Sequence, residues 1–182
     1  MGRYTGDLNW LTARPIAHRG YHDMNNTVWE NTLSAFDRAI AHDFSIECDL
    51  QLACDGVPVV FHDDDLSRLC GLMDDVRLLT SRELAMKRIG GTSDAIPSLR
   101  VMLDRVAGRV PIVFELKGRK DEDDGFAGAV LEELENYEGH VALMSFDTWL
   151  LEELIELDCP YPVGLTAEGV REEKFVEHEK AM

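Results

Sequence analysis

Apolar runs of strand length alternate with segments of helical period along most of this chain. Residues 15–19 (PIAHR), 44–52 (FSIECDLQL), 57–62 (VPVVFH), 110–117 (VPIVFELK), 141–146 (VALMSF) and 162–167 (PVGLTA) read as strands. Residues 30–41 (ENTLSAFDRAIA) place Leu33, Phe36 and Ile40 on one face and predict a helix; residues 81–87, 99–106, 126–136 and 148–157 predict four more. A last helix is expected over 172–182, with Phe175 and Val176 inward and His178 at the surface. Strands alternating with helices predict an α/β fold on a parallel sheet, open or closed. One link breaks the rhythm. Between Leu52 and Val57 there is no room for a helical crossover, and Asp55-Gly56 is a turn dipeptide, so these two strands form either a hairpin or an irregular connection. Residues 67–97 are polar and aperiodic and predict an excursion from the core, and 121–124 (DEDD) a solvated loop.

Ionisable residues interrupt the apolar pattern at strand ends. Glu47 and Asp49 are two apart, so the strand period turns both to one face, with Ile46, Cys48 and Leu50 on the other. Glu115 and Lys117 repeat this arrangement, with Phe114 and Leu116 pointing away. Two other strands end in His18-Arg19-Gly20 and His62-Asp63. Ligands of parallel α/β folds bind at the carboxyl ends of strands, so these groups are expected at one site. Three convergent carboxylates suit a hard cation, Mg²⁺ or Ca²⁺. Two histidines suit proton transfer near neutrality, and Arg19 with Lys117 suits an oxyanion. Together these describe metal-assisted hydrolysis of a phosphodiester.

Composition narrows the partners. The 182 residues carry 18 Lys+Arg against 35 Asp+Glu, a net charge of −17, which argues against nucleic acid or an anionic membrane surface. The hydrophobic fraction of 45% is sufficient for a core, and a single domain over 1–182 is expected. No apolar run approaches the roughly 18 residues of a membrane span, and no signal-peptide core opens the chain, so the cytoplasm is the default compartment. The four cysteines, Cys48, Cys54, Cys70 and Cys159, lack paired spacing and read as free, buried thiols.

These motifs together resemble the glycerophosphodiester phosphodiesterases of the phospholipase-C-like TIM-barrel group. The resemblance rests on His18-Arg19-Gly20, residues 30–36 (ENTLSAF), residues 46–49 (IECD), residues 55–63 (DGVPVVFHD) continuing through Leu66 and Arg68, residues 96–99 (IPSL), residues 115–117 (ELK) and residues 145–147 (SFD). It implies hydrolysis of small-molecule glycerophosphodiesters to sn-glycerol 3-phosphate and an alcohol. It also implies Glu47, Asp49 and Glu115 as ligands of a divalent metal and His18 and His62 as acid and base. Arg19 would contact the phosphate, with Glu30, Asn31 and Lys117 supporting the site, and residues 63–97 would be a small insertion capping it. Trp29 stands where the family usually has proline. A related lysophospholipase D or sphingomyelinase-D-like enzyme, or a binding member without turnover, are the alternatives. An eight-unit barrel takes about 250 residues, whereas six strands are countable here. The chain is therefore expected to be a TIM barrel lacking its last two β/α units, truncated at its C-terminus or completed by a partner chain, a homo-oligomer being one such case.

Overall fold

The computed structural model describes residues 4–167, so the helix expected over 172–182 lies outside the described residues. In chain order the elements are α1 (Asn9–Thr12), β1 (Ile16–Ala17), α2 (Leu33–Ala41), β2 (Ser45–Leu52), β3 (Pro58–Val60), α3 (Ser67–Cys70) and a 3₁₀ turn (Val76–Leu78). There follow α4 (Ser81–Leu84), α5 (Leu99–Val106), β4 (Ile112–Leu116), α6 (Phe126–Leu134), β5 (Val141–Ser145), α7 (Thr148–Glu156) and β6 (Val163–Leu165). The strands β1-β2-β4-β5-β6 pair in parallel and in that order, without the reversal of a doubly wound sheet. Sequential parallel staves with helices between them are the pattern of a TIM barrel wall. No helix among the described residues is long and apolar enough to cross a membrane.

The short link between β2 and β3 is a hairpin: β3 runs antiparallel to β2, with Leu50 opposite Val60 and Leu52 opposite Pro58. Residues 57–62 are therefore not a barrel stave. The described residues supply five parallel staves rather than six, and closing an eight-stranded barrel from these five takes three more rather than two.

The period-two pattern of β2 is realised in full. Ile46, Cys48 and Leu50 join Ile112, Phe114 and Leu116 of β4 in the main core, packed under Phe36 of α2, Met102 of α5, Phe126 of α6 and Leu150 of α7. Each such buried side chain contributes about 1.5–3 kcal/mol. The other face carries Ser45, Glu47, Asp49 and Gln51, all buried.

Two segments differ from expectation. Helix α2 starts at Leu33 rather than at Glu30, because Asn31 sits at φ 54° and Thr32 caps the helix, its hydroxyl accepting from Ala35 N–H. Residues 67–97 leave the main core as expected, but Leu69, Val76, Leu84, Ile89 and Ile96 are buried there in a second apolar cluster with Val59 and Phe61 of the hairpin arm. Trp29 packs against this cluster over Gly90, where an added Cβ would lie 2.0 Å from the indole.

Candidate active site

The two edges of β2 organise the site. Strand β4 pairs with one edge from Ile46 to Leu50, so β1 and β3 share the other: β1 at Ser45 and Ile46, β3 from Leu50 to Leu52. Between them the edge receives the two histidine-bearing segments. Glu47 O accepts from Gly20 N–H at 3.2 Å and Asp49 O from Phe61 N–H at 3.1 Å. The hairpin thus turns the chain back along the edge of β2 and brings His62 beside it, without a third parallel stave. Gly20 makes the turn after His18 possible: its φ is 80°, and a Cβ there would meet Ala35 Cβ at 2.8 Å.

Glu47, Asp49 and Glu115 are buried and each offers an oxygen within 4.8 Å of the others. Burial, then the adjacent Asp49 charge, pushes the Glu47 pKa up to about 8. Their outer oxygens are committed elsewhere: Glu47 Oε2 accepts from Arg19 N–H at 2.8 Å, and Asp49 Oδ2 accepts from Asn31 Nδ2 at 2.8 Å with Arg19 Nε 3.3 Å away. Glu47 Oε1, Glu115 Oε1 and Asn31 Oδ1 are buried without a hydrogen-bond partner. Lys117 Nζ lies 2.6 Å from Glu115 Oε1, as an ion pair outside hydrogen-bonding geometry, and 3.6 Å from Asp49 Oδ1. Buried acceptors left unmade are costly. An acceptor-only cluster of this kind fits a hard divalent cation.

Around this cluster the cations are held by carboxylates. Arg19, at φ 56°, donates from Nη1 to Glu30 Oε1 at 2.7 Å. Glu30 is buried and saturated: Asn25 Nδ2 and both terminal nitrogens of Arg68 also donate to it. Asn25 Oδ1 accepts from the Glu30 N–H at 2.8 Å, and Asp23 ties the loop before it by accepting from the N–H groups of Asn26, Thr27 and Val28. Glu30 thus holds the Arg19 guanidinium in place and lies two residues ahead of the Thr32 cap, outside the helix.

His18 is largely exposed, with Nε2 3.9 Å from Glu47 Oε2. Partial burial and the Arg19 charge hold its imidazole below the ordinary value. His62 Nδ1 lies 2.7 Å from Asp63 Oδ1. His62, Glu115 and Lys117 line an open cleft of about 430 Å³ with Asp64, Phe146 and Asp147.

The structure brings together all nine residues singled out from the sequence: His18, Arg19, Glu30, Asn31, Glu47, Asp49, His62, Glu115 and Lys117. Asn25, Gln51 and Arg77 were not singled out from the sequence; of the three, Gln51 alone carries a signal, the period-two spacing it shares with Glu47 and Asp49 on β2. Gln51 donates to the carbonyls of Phe61 and Asp63, and Arg77 donates to Gln51, Asp123 and the Lys117 carbonyl, bracing both sides of the cleft. The acidic stretch 121–124 is correspondingly not all solvated, since Asp123 is buried against Arg77. Cys48 and Cys159 are buried free thiols as expected, whereas Cys54 is exposed and Cys70 half-buried.

Comparison with known proteins places this arrangement. The glycerophosphoryl diester phosphodiesterase family model matches residues 18–174. A glycerophosphodiester phosphodiesterase 1 from Rattus norvegicus is 34% identical over 117 residues, 58% of this chain and 34% of that protein. A lysophospholipase D from Mus musculus is 33% identical over 122 residues, 60% of this chain and 36% of that protein. The matches span 33 to 46% of the length of the curated relatives. Among solved structures, a glycerophosphodiester phosphodiesterase from Thermotoga maritima superposes with a TM-score of 0.71 at 32% identity, covering 92% of this chain and 69% of that one. An Oleispira antarctica phosphodiesterase, in complex with its product sn-glycerol-3-phosphate, has a TM-score of 0.79 at 24% identity, covering 92% and 72%.

Proposed function

Because the chain belongs to the glycerophosphoryl diester phosphodiesterase family, we propose that it hydrolyses glycerophosphodiesters to sn-glycerol 3-phosphate and an alcohol. The observation that carries this reading is the buried cluster of Glu47, Asp49 and Glu115, set beside His18 and at the edge of a cleft shared with His62 and Lys117. The product complex of the Oleispira antarctica enzyme supports the same product for this fold.

Glu47, Asp49 and Glu115 would hold a divalent cation, Mg²⁺ or Ca²⁺, which when bound polarises a phosphoryl oxygen. Arg19 and Lys117 face the same region with fixed positive charge and stabilise the charge that develops on phosphate. The histidines exchange the protons: one imidazole takes a proton from the attacking oxygen and the other gives one to the departing alcohol. Asn31 orients Asp49, and Glu30 orients Arg19, through the hydrogen bonds described above. Residues 63–97 serve as a cap over the site, tied through Arg68 to Glu30 in the loop before α2 and through Arg77 to Gln51 of β2. The cytoplasm is the proposed compartment, and the four free thiols are the form a reducing compartment maintains.

The test is release of glycerol 3-phosphate from glycerophosphocholine with Mg²⁺ or Ca²⁺ present or chelated. Cation-dependent release that falls by about 10²–10⁴-fold in His18→Ala and in His62→Ala is expected. Full activity in both variants overturns the mechanism. Faster turnover of lysophosphatidylcholine than of glycerophosphocholine would move the activity to that of the lysophospholipase D relative.

A further inference from the structure

Arg68 is more than a donor to Glu30 and a tie for residues 63–97: its guanidinium makes four hydrogen bonds to two carboxylates beside the site. Its guanidinium grips Asp63 on both oxygens, Nε to Oδ2 at 2.7 Å and Nη2 to Oδ1 at 2.9 Å. It also clamps Glu30, Nη1 to Oε2 at 2.8 Å and Nη2 to Oε1 at 2.7 Å. Asp63 Oδ1 faces His62 Nδ1 at 2.7 Å, and Glu30 Oε1 accepts from Arg19 Nη1 at 2.7 Å. One planar cation on α3 therefore stands between a proton-transfer group and a phosphate-binding group, fixing the carboxylate behind each.

We propose that Arg68 is a positioning residue for hydrolysis: through Asp63 it sets the tautomer and ring orientation of His62, and through Glu30 it sets the guanidinium of Arg19. A carboxylate accepting from Nδ1–H leaves Nε2 as the nitrogen free for proton transfer, and it does so only while the carboxylate itself is held. Glu30, buried and accepting from four side-chain donors, loses two of them without Arg68. Lysine cannot replace the fork, because a single ammonium does not span two carboxylates in a fixed plane. A brace that only tied residues 63–97 to the loop carrying Glu30 would change stability and leave the imidazole as it was.

This inference rests on the proposed hydrolytic activity, so it is tested by turnover and by a measurement independent of turnover. Steady-state hydrolysis of glycerophosphocholine and ¹⁵N spectra of histidine-labelled protein are compared for the unsubstituted protein, Arg68→Met and Arg68→Lys. In Arg68→Met, kcat is expected to fall roughly 10- to 100-fold with KM within about threefold. The His62 nitrogen shifts are expected to move from the Nδ1–H pattern towards a tautomer average, and Arg68→Lys to recover only part of either change. A kcat within about twofold of the unsubstituted protein, or unmoved His62 shifts alongside a lost kcat, overturns the proposal. If Arg68→Met does not fold, Arg68→Lys carries the same two readouts and the same overturning results. Inactivity of the unsubstituted protein overturns the hydrolytic reading, and the His62 spectrum still decides whether Arg68 positions that ring.

Discussion

The backbone N–H of Asn31 donates to the carbonyl of Arg19 at 2.9 Å, and both residues lie in the left-handed region, at φ 54° and 56°. Two unfavourable backbone conformations are thus tied to each other, and both side chains converge on Asp49 Oδ2. Strain held at a site in this way persists because its surroundings over-determine it. Asparagine tolerates this conformation better than alanine, and glycine tolerates it best. Asn31→Ala is therefore expected to destabilise by about 1–3 kcal/mol, losing a charge-assisted bond to Asp49 as well as backbone compatibility. Asn31→Gly should be less destabilised than Asn31→Ala. Urea unfolding of the three proteins checks the order; equal stability of all three would contradict it.

Trp29 and Gly90 are a second such pair. Gly90 lies at φ 60°, and a Cβ there would come within 2.0 Å of the indole, so the entry loop that carries Glu30 is packed on the 63–97 excursion through a residue with no side chain. Gly90→Ala is expected to cost about 2–4 kcal/mol, from overpacking together with the left-handed backbone. Part of that cost comes from the collision alone, so it should shrink in a Trp29→Ala background, where only the backbone penalty remains. A double-mutant cycle measures the difference; additive costs would mean that the two residues do not meet.

Much of this architecture was legible because it is periodic. Strand β2 shows period two, α5 begins and ends where its apolar spacing does, and the catalytic candidates sit at strand ends. What was hidden has no period. Leu69, Val76, Leu84, Ile89 and Ile96 are spaced irregularly, so their shared cluster is visible only once the hairpin supplies Val59 and Phe61 beneath them. Asp123 reads as one of four solvated acids until Arg77, 46 residues away, is found against it. The left-handed turn at Asn31 shortens α2 by three residues at its start; an asparagine followed by a capping threonine is its only signal, and the apolar spacing of the helix does not register it. Most consequential is β3, whose composition suits a stave, while its direction is set by a link too short to cross over.

The carboxylates of the Arg68 network give an acid dependence with a definite sign. Burial works to raise the Glu30 pKa, but hydrogen bonds from Arg68, Asn25 and Arg19 outweigh it and hold the carboxyl well below its ordinary range. In Asp63 burial likewise raises, and the bonds from Arg68 and His62 prevail, so it too is lowered. Unfolded, these groups titrate near ~4.3 and ~3.9. Native pKa values below the unfolded ones stabilise the fold above about pH 5, and this contribution is lost as pH falls through the acid range towards the native values. Glu30→Gln removes one of these groups. It should be less stable than the unsubstituted protein at pH 7, and the gap should narrow as pH falls from about 5 to 3. A gap that stays constant would show that Glu30 is not held in its charged form by these donors.

Lys117 separates binding of the cation from use of it. Its ammonium lies 2.6 Å from Glu115 Oε1 and 3.6 Å from Asp49 Oδ1, so it neutralises the same carboxylates that a divalent cation would. Removing one positive charge at such distances near a protein surface is worth about 1 kcal/mol or more to an incoming cation, roughly a fivefold tighter Kd. Lys117→Met is therefore expected to bind Mg²⁺ or Ca²⁺ more tightly in calorimetric titration, and to gain more thermal stability from a given cation concentration. Its hydrolysis of glycerophosphocholine should nevertheless fall by about 10- to 100-fold, because the charge proposed to stabilise phosphate in the transition state is gone. Glu115→Gln should fail in both measurements, having lost one of the three proposed ligands. If Lys117→Met instead binds the cation more weakly, Lys117 organises the acidic cluster rather than competing for it, and its part in stabilising phosphate would have to be assigned to Arg19 alone.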